Sequence, residues 1–176
     1  MLRHAVPTAL VVLTFAVLLP RAPAAGDRRA PAIVSDRWLN SQPLTAIDLK
    51  GRVVVVEFWT FGCINCIRTA PAMRQLRASY APDRVVVVGI HTPEFEHEKN
   101  AANVERAIAR LGISYPVAMD NDFAIWRRFD NRYWPALYVI DRRGVIRHTH
   151  VGELHQGTPR WSELLELIDR LLKEPV

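Results

Sequence analysis

The sequence has little of several features that define whole classes of protein. It has only two cysteines among 176 residues, which excludes a small scaffold held together by several disulfides. Its 8 glycines and 12 prolines follow no period, which excludes a collagen-like repeat. No internal repeat of solenoid length is visible. With 49% hydrophobic and 23% charged residues, the chain is instead typical of one globular domain.

The positive charge of the chain is not concentrated in any one stretch. The formal net charge is +5, and basic residues such as Arg68, Arg84 and Arg106 are scattered along the sequence. A protein that binds nucleic acid gathers its positive charge on one face or stripe. We therefore expect no nucleic-acid partner.

The first 24 residues have the pattern of an export signal. Arg3 precedes an apolar stretch at 5–19, and an Ala-x-Ala sequence ends at Ala24. This combination is typical of a secretory signal peptide, and the stretch is shorter than the roughly 20 residues of a membrane-spanning helix. We predict a signal peptide over 1–24 and a periplasmic or other extracytoplasmic location. The alternative is an uncleaved segment that begins near Leu2 and anchors the protein in the membrane.

Strand and helix patterns alternate after a short leader, residues 25–37, which we predict to be flexible because its first part is rich in glycine, proline and charge. Val53–Phe58 and Val85–Ile90 are apolar runs rich in β-branched residues, which predict buried strands. Apolar residues recur at helical spacing over Cys66–Tyr80 and over Asn100–Leu111.

The last third of the chain has a different order of elements. A short strand at 117–119 and a short helix at 121–129 are followed by strands at 137–140 and 145–151 around the turn Asp141–Gly144. A final helix begins at Pro159 with Thr158 as its N-cap. Early alternation favours parallel strands, and the late hairpin adds antiparallel ones. We predict an α/β domain over 38–176 with a mixed central sheet flanked by helices.

The two cysteines form a C-x-x-C motif, Cys63-Ile64-Asn65-Cys66, at the junction of the first buried strand and the first long helix. A helix N-terminus offers unpaired N–H groups and the positive end of the helix dipole, and both stabilise a thiolate. A spacing of three places the second sulfur on the same turn, where it can attack a mixed disulfide formed by the first. We predict Cys63 as the exposed attacking thiol and Cys66 as the more buried resolving thiol.

Residues 57–66, EFWTFGCINC, resemble the active-site segment of the thioredoxin superfamily. Pro71, five residues after the second cysteine, and Trp134-Pro135, just before a strand, match two further positions of that family. The export signal and the long insert between Val85 and Met119 resemble the TlpA/ResA/DsbE-like branch. The phrases HTPEF, DND and YWPA are most similar to the thioredoxin-like domain of DipZ-type proteins. The resemblance implies a thioredoxin-like fold with an N-terminal extension and an inserted strand–helix element.

The resemblance also implies roles for residues around the cysteines. Glu57 matches a buried carboxylate that moves protons to and from the resolving thiol, although an ion pair with a Lys or Arg is an alternative. Pro135 matches a cis-proline, whose cis bond turns the backbone of Trp134 towards the cysteines. Trp59 and Trp134 are candidates for apolar contact with a substrate peptide, with ordinary core packing as the alternative for each.

Other functions of the two cysteines have less support from the sequence. His150 and His155 have the spacing of zinc ligands, but they lie far from Cys66 in the sequence, and we predict no metal site. A copper-binding chaperone is the alternative that we retain, because thiolates favour Cu(I). Thr60-x-x-Cys63 matches the peroxiredoxin pattern, but Val56 stands where those enzymes have proline. A purely structural disulfide is a poor explanation, since so small a loop constrains the unfolded chain little.

We therefore predict an exported thiol–disulfide oxidoreductase with a Cys63–Cys66 redox-active disulfide and no cofactor. The TlpA-like resemblance favours a reductant, for example in cytochrome c maturation. The Ile-Asn dipeptide departs from the Gly-Pro of thioredoxin and leaves the redox potential open. The expected partners are proteins with cysteine thiols or disulfides, and a CcdA- or DsbD-like membrane protein as electron donor. We expect a monomer.

Overall fold

A computed structural model describes residues 28–176, so that the predicted signal peptide lies outside the described residues. Six strands form one sheet in the order β1-β4-β3-β2-β5-β6. The strands are β1 Trp38–Leu39, β2 Val53–Trp59, β3 Val85–His91, β4 Val117–Met119, β5 Ala136–Ile140 and β6 Ile146–Val151. The helices are α1 Ala46–Leu49, α2 Ile64–Ser79, a 3-10 helix Glu96–Lys99, α3 Ala101–Leu111, α4 Ala124–Arg128 and α5 Pro159–Leu171.

The sheet is mixed, as predicted. β2 pairs in parallel with β3, and β3 pairs in parallel with β4. The pairs β2–β5, β5–β6 and β1–β4 are antiparallel. β2 lies at the centre of the sheet and is buried along its whole length, which explains its continuous apolar sequence.

The two faces of the sheet have separate apolar cores. Val53, Val55 and Trp59 of β2 belong to the core that includes residues of α2, α3 and α5. Val54, Val56 and Phe58 belong to the other core, which includes Ile125 of α4. Because successive strand side chains point to opposite faces, Glu57 lies on the same face as Trp59. Cys66 belongs to the core on that face.

The structure confirms Thr158 as the N-cap of the last helix, and two further residues cap α3. The Thr158 side chain accepts a hydrogen bond from the N–H of Trp161 at 3.3 Å at the start of α5. Asn100 caps α3 in the same way, and Gly112 ends that helix with a φ of 65°, which favours glycine. Gly144 has a φ of 82° in the hairpin turn between β5 and β6.

The segment between Val85 and Met119, in which the insert was predicted, contains β3, the 3-10 helix, α3 and β4. Strand β4 extends the sheet beyond β3. The start of the 3-10 helix, at Glu96, comes shortly after the end of β3, and β3 is adjacent to the strand that leads to the cysteines. The insert therefore contributes residues to the surroundings of the C-x-x-C motif.

The part of the leader that the structure describes forms contacts with the rest of the domain. The Ile146 N–H donates to the carbonyl of Arg28 at 2.9 Å, and the Ala30 N–H donates to the carbonyl of Gly144 at 2.9 Å. Ala30 and Ile33 pack against one of the two apolar cores. The β5–β6 hairpin offers unpaired backbone groups at this edge of the sheet, and the leader pairs with them.

Within residues 28–176, we find no helix with the length and apolar character needed to cross a membrane.

Candidate active site around Cys63 and Cys66

Cys63 lies at the N-cap of α2, and the helix begins at Ile64, two residues earlier than the apolar pattern alone indicated. Its sulfur accepts a hydrogen bond from the Cys66 N–H at 3.4 Å. Cys63 is half-buried and carries a free thiol. Helix N-termini favour negative charge through unpaired N–H groups and the helix dipole. The Cys63 sulfur therefore lies at the end of α2 where these N–H groups are found.

Cys66 has the opposite environment. It is 2% exposed and belongs to the apolar core under α2. Burial raises the pKa of the Cys66 thiol strongly, and its contact with Cys63 and the nearby Glu57 raise it further. Cys66 therefore keeps its proton near neutral pH, and it needs a proton acceptor before it can act as a nucleophile.

Glu57 is a buried carboxyl group on the same face of the sheet as Cys66. Burial raises the pKa of Glu57 to about 7, and a hydrogen bond from Tyr115 opposes that rise. The Tyr115 hydroxyl donates to Oε2 of Glu57 at 2.7 Å. Among residues 28–176, the partner of Glu57 is thus a neutral hydroxyl and not the Lys or Arg of the ion-pair alternative. A carboxyl group whose pKa is close to 7 can both take and give a proton near neutral pH.

The Trp134–Pro135 segment lies opposite Cys63. The peptide bond between these two residues is cis. The carbonyl oxygen of Trp134 is 3.9 Å from the Cys63 sulfur. The Trp134 indole N–H donates to the Thr92 carbonyl at 3.1 Å, and its ring lies 4.2 Å from that of Trp126. Trp134 is partly exposed, so its ring both packs against the domain and contributes to the surface beside the cysteine.

Trp59 does not lie on that surface. It is 2% exposed and forms part of the core, with its ring 5.0 Å from the His91 ring. The prediction of substrate contact is therefore corrected to core packing at this residue. The physical reason is its place at the end of the central strand, where its side chain points into the face that α2 covers.

Glu98 is a residue of the site that sequence reasoning missed. Its buried carboxylate accepts hydrogen bonds from the backbone N–H groups of Gly62 at 2.7 Å, Glu94 at 2.6 Å and Phe95 at 2.9 Å. Burial works against ionisation, but the Thr60 hydroxyl and these three N–H groups together lower the pKa of Glu98. Glu98 is one of three glutamates between positions 94 and 98, and nothing in the sequence distinguishes it from the other two.

His91 and Tyr115 were also missed, because both lie in segments that sequence patterns assign to strands or loops without a function. His91 is buried, and its Nε2 is 3.4 Å from the Thr60 hydroxyl. Burial lowers the pKa of His91 to about 4, so the ring is neutral at pH 7. Thr60, the residue that suggested a peroxiredoxin, is thus buried and contacts His91 and Glu98.

Three large apolar side chains are exposed around Cys63. Ile64 follows it in the chain and is 55% exposed, whereas Tyr133, 58% exposed, precedes Trp134. Phe95 is 52% exposed, and its Cδ2 lies 3.5 Å from the position that a Cβ on Gly62 would occupy. These side chains give the surface beside the Cys63 sulfur an apolar character.

The histidines that suggested zinc do not assemble a metal site. His155 contacts the carboxylate of Glu153 at 2.7 Å, and His150 contacts its carbonyl oxygen at 3.2 Å. Across residues 28–176, no three His, Cys, Asp or Glu side chains come together in a way that could hold a metal ion.

Comparison with known proteins identifies the family. The model of the AhpC/TSA family matches residues 27–149, and the chain belongs to this family of thioredoxin-like proteins. The resemblance predicted from the sequence is thereby confirmed.

Two relatives and one solved structure illustrate the likeness. The chain is 46% identical over 119 residues to Protein DipZ of Mycobacterium bovis, covering 66% of this chain and 17% of that protein. It is 30% identical over 115 residues to the thiol-disulfide oxidoreductase YkuV of Bacillus subtilis, covering 65% of this chain and 77% of that protein. The crystal structure of a thioredoxin-like superfamily protein matches with a TM-score of 0.76 and 27% identity, over 85% of this chain and 99% of the other.

These findings confirm the predicted thioredoxin-like fold. The predicted enzyme class is also that of the relatives, since YkuV carries the name of a thiol-disulfide oxidoreductase. The chain spans only about a sixth of the length of DipZ, so the match concerns one domain of that longer protein.

Proposed function

We propose that this protein exchanges disulfides with other proteins through Cys63 and Cys66. One observation carries the proposal: a half-buried thiol at a helix N-cap lies directly beside a buried thiol that shares its environment with a carboxyl group of raised pKa. The first group suits attack on a disulfide, and the other two suit resolution of the intermediate.

The reaction has two balanced steps. The Cys63 thiolate attacks one sulfur of a client disulfide, which forms a mixed disulfide and releases the other client sulfur as a thiolate. Cys66 then transfers its proton to the Glu57 carboxylate and attacks the Cys63 sulfur. The Cys63–client bond breaks, the client leaves as a second thiolate, and the protein retains a Cys63–Cys66 disulfide. The client gains two electrons, and the reverse sequence oxidises it.

We propose that the protein works in the reducing direction outside the cytoplasm. The pattern of residues 1–24 supports export, and the resemblance to TlpA-like sequences supports a reductant. A steady reductant needs a source of electrons, for which we propose a CcdA- or DsbD-like membrane protein.

The equilibrium redox potential of the Cys63–Cys66 pair tests this proposal. The purified protein is equilibrated with glutathione or dithiothreitol buffers, and its thiols are counted by alkylation and mass spectrometry. Thioredoxin-fold potentials range from about −270 mV to about −120 mV, and a reductant is expected near the lower value. A potential near the upper value would overturn the reducing direction. Stoichiometric Cu(I) binding without reversible exchange would overturn the oxidoreductase and favour the copper chaperone.

A further inference from the structure

Tyr115, in the segment just before β4, is the hydrogen-bond partner of the carboxyl group that serves Cys66. Its hydroxyl donates to Oε2 of Glu57 at 2.7 Å, and both side chains are buried. We propose that Tyr115 is a positioning residue, which orients the Glu57 carboxyl for proton exchange with Cys66. This inference rests on the proposed function, since it assigns a residue to the resolving step of that reaction.

The Tyr115 side chain reaches Glu57 by passing over a glycine of the neighbouring strand. In the sheet, Gly89 of β3 pairs with Glu57 on one side and with Val117 on the other. A Cβ placed on Gly89 would lie 3.2 Å from Cε2 of Tyr115 and 2.8 Å from Nε1 of Trp59. The absence of a side chain at this position therefore lets the tyrosine ring lie close above β3 and reach the central strand.

The backbone of Tyr115 is also held in place. The Asn40 side-chain amide donates to the Tyr115 carbonyl at 3.1 Å and to the Ile113 carbonyl at 3.0 Å. On the other side, the Gly89 N–H donates to the carbonyl of Pro116 at 2.9 Å. These hydrogen bonds fix the backbone on both sides of Tyr115. The ring therefore starts from a fixed position, and its hydroxyl is directed at one carboxyl oxygen of Glu57. A positioning residue requires such fixed support.

Within the Glu57–Tyr115 pair, the tyrosine hydroxyl acts only as a hydrogen-bond donor. Burial raises the pKa of Tyr115 far above its usual value, so the hydroxyl stays protonated and acts as a donor. Its bond to Oε2 favours the ionised form of Glu57 and leaves the second carboxyl oxygen for a proton from Cys66. Two further charged or titratable groups act on this pair, and both lie on α2, namely Cys66 and Arg74.

The variant Tyr115→Phe tests this role, because it keeps the ring above Gly89 and removes only the hydroxyl. The matched control is Tyr138→Phe, which also removes a buried hydroxyl, bonded to Asn131 at 3.0 Å, from the core on the opposite face of the sheet. Resolution is followed as release of a fluorescent peptide from a preformed mixed disulfide on Cys63, from pH 5 to pH 9. In parallel, the Glu57 carboxyl carbon is titrated by carbon-13 NMR.

We expect Tyr115→Phe to move both profiles to higher pH by about one unit, since a lost donor to an ionised carboxyl disfavours its charged form. Release at pH 7 then slows by up to about tenfold, whereas attack of Cys63 on a model disulfide keeps its rate. Tyr138→Phe keeps the wild-type profile. Asn40→Ala, which frees the Tyr115 backbone and keeps its hydroxyl, is expected to shift the profile in the same direction by less.

Two results would overturn the inference while the proposed function stands. One is normal exchange in Tyr115→Phe with an unshifted Glu57 titration. The other is an equal loss of rate at every pH in Tyr115→Phe and Tyr138→Phe, which would indicate a purely structural role. Absence of any exchange in the wild-type protein would overturn the proposed function and, with it, the assignment of Tyr115.

Discussion

The carboxylate of Glu98 accepts a hydrogen bond from the backbone N–H of Gly62, the residue immediately before Cys63, with an N···O distance of 2.7 Å. The same carboxylate binds the N–H groups of Glu94 and Phe95 through its other oxygen. It therefore joins the inserted segment to the loop that carries the attacking cysteine. Within the described residues no strand pairing joins these two segments, and Glu98 links them through its side chain.

Replacing Glu98 with glutamine is expected to destabilise the protein. The amide can accept fewer of the three N–H bonds, and buried donors are left unpaired, so we expect the free energy of unfolding to fall by about 2–3 kcal/mol. Urea denaturation measures this change. Glu96→Gln is the control, because its exposed ion pair with Lys99 should change stability by less than about 0.5 kcal/mol.

The loss of stability caused by Glu98→Gln should also depend on pH. The pKa of Glu98 is lower in the folded chain than its ordinary value of 4.5, so its contribution is present above that value and is lost as pH falls through the folded-state pKa. The stability difference between wild type and Glu98→Gln should therefore shrink in acid. An equal difference at pH 7 and pH 3 would contradict the role of the ionised carboxylate.

In contrast to Glu98→Gln, the substitution Glu57→Gln is expected to stabilise the protein at high pH. The pKa of Glu57 rises from 4.5 to about 7 on folding, so the folded protein holds this proton more tightly and loses stability as pH rises between these values. At pH 8 the neutral glutamine should make the protein more stable than wild type by about 3 kcal/mol, and the gain should vanish near pH 4.

Unfolding of the reduced proteins in urea at both pH values checks this expectation. Exposed Glu166→Gln is the control and should show no comparable dependence on pH. The same Glu57→Gln variant should slow the release of client from Cys63, which separates its effect on stability from its effect on the reaction. A Glu57→Gln protein that is less stable than wild type at pH 8 would refute the raised pKa.

The two cysteines should differ in reactivity. Cys66 is buried and protonated, whereas Cys63 is accessible at the N-cap of α2. We expect iodoacetamide to modify Cys63 at least about tenfold faster than Cys66 at pH 7.5, as followed by peptide mass spectrometry. Cys66→Ser should accumulate a mixed disulfide with a client, and Cys63→Ser should not. Equal trapping by the two variants would contradict the assigned roles.

Gly89→Ala should destabilise the domain through a steric conflict. The added Cβ would lie 2.8 Å from the Trp59 indole nitrogen and 3.2 Å from the Tyr115 ring, both in a packed core. Such overpacking costs about 1–3 kcal/mol. The double variant Gly89→Ala with Trp59→Phe removes the closer contact and should lose less stability than the two single changes added together. Additive losses would show that the conflict lies elsewhere.

Much of the fold was predictable from local patterns. The apolar run of β2 and the helical spacing of α2 and α3 each give a periodic signal over many residues. The N-cap Thr158 acts on its own helix, so its effect is local and visible in the sequence. The contacts of the leader were harder to predict, because its hydrogen bonds go to the distant β5–β6 hairpin and not to its own neighbours in the sequence.

The sequence by itself determined the motif: two thiols three residues apart at the junction of a strand and a helix, where the helix N-terminus favours a thiolate. Only the tertiary structure decided what surrounds them. Tyr115 meets Glu57 across 58 residues of chain, and Glu98 meets Gly62 across 36. These contacts depend on sheet register and on a glycine that leaves room, and neither leaves a periodic pattern in the sequence. Burial, which sets the pKa of Glu57 and Cys66, likewise arises only when the whole domain has folded.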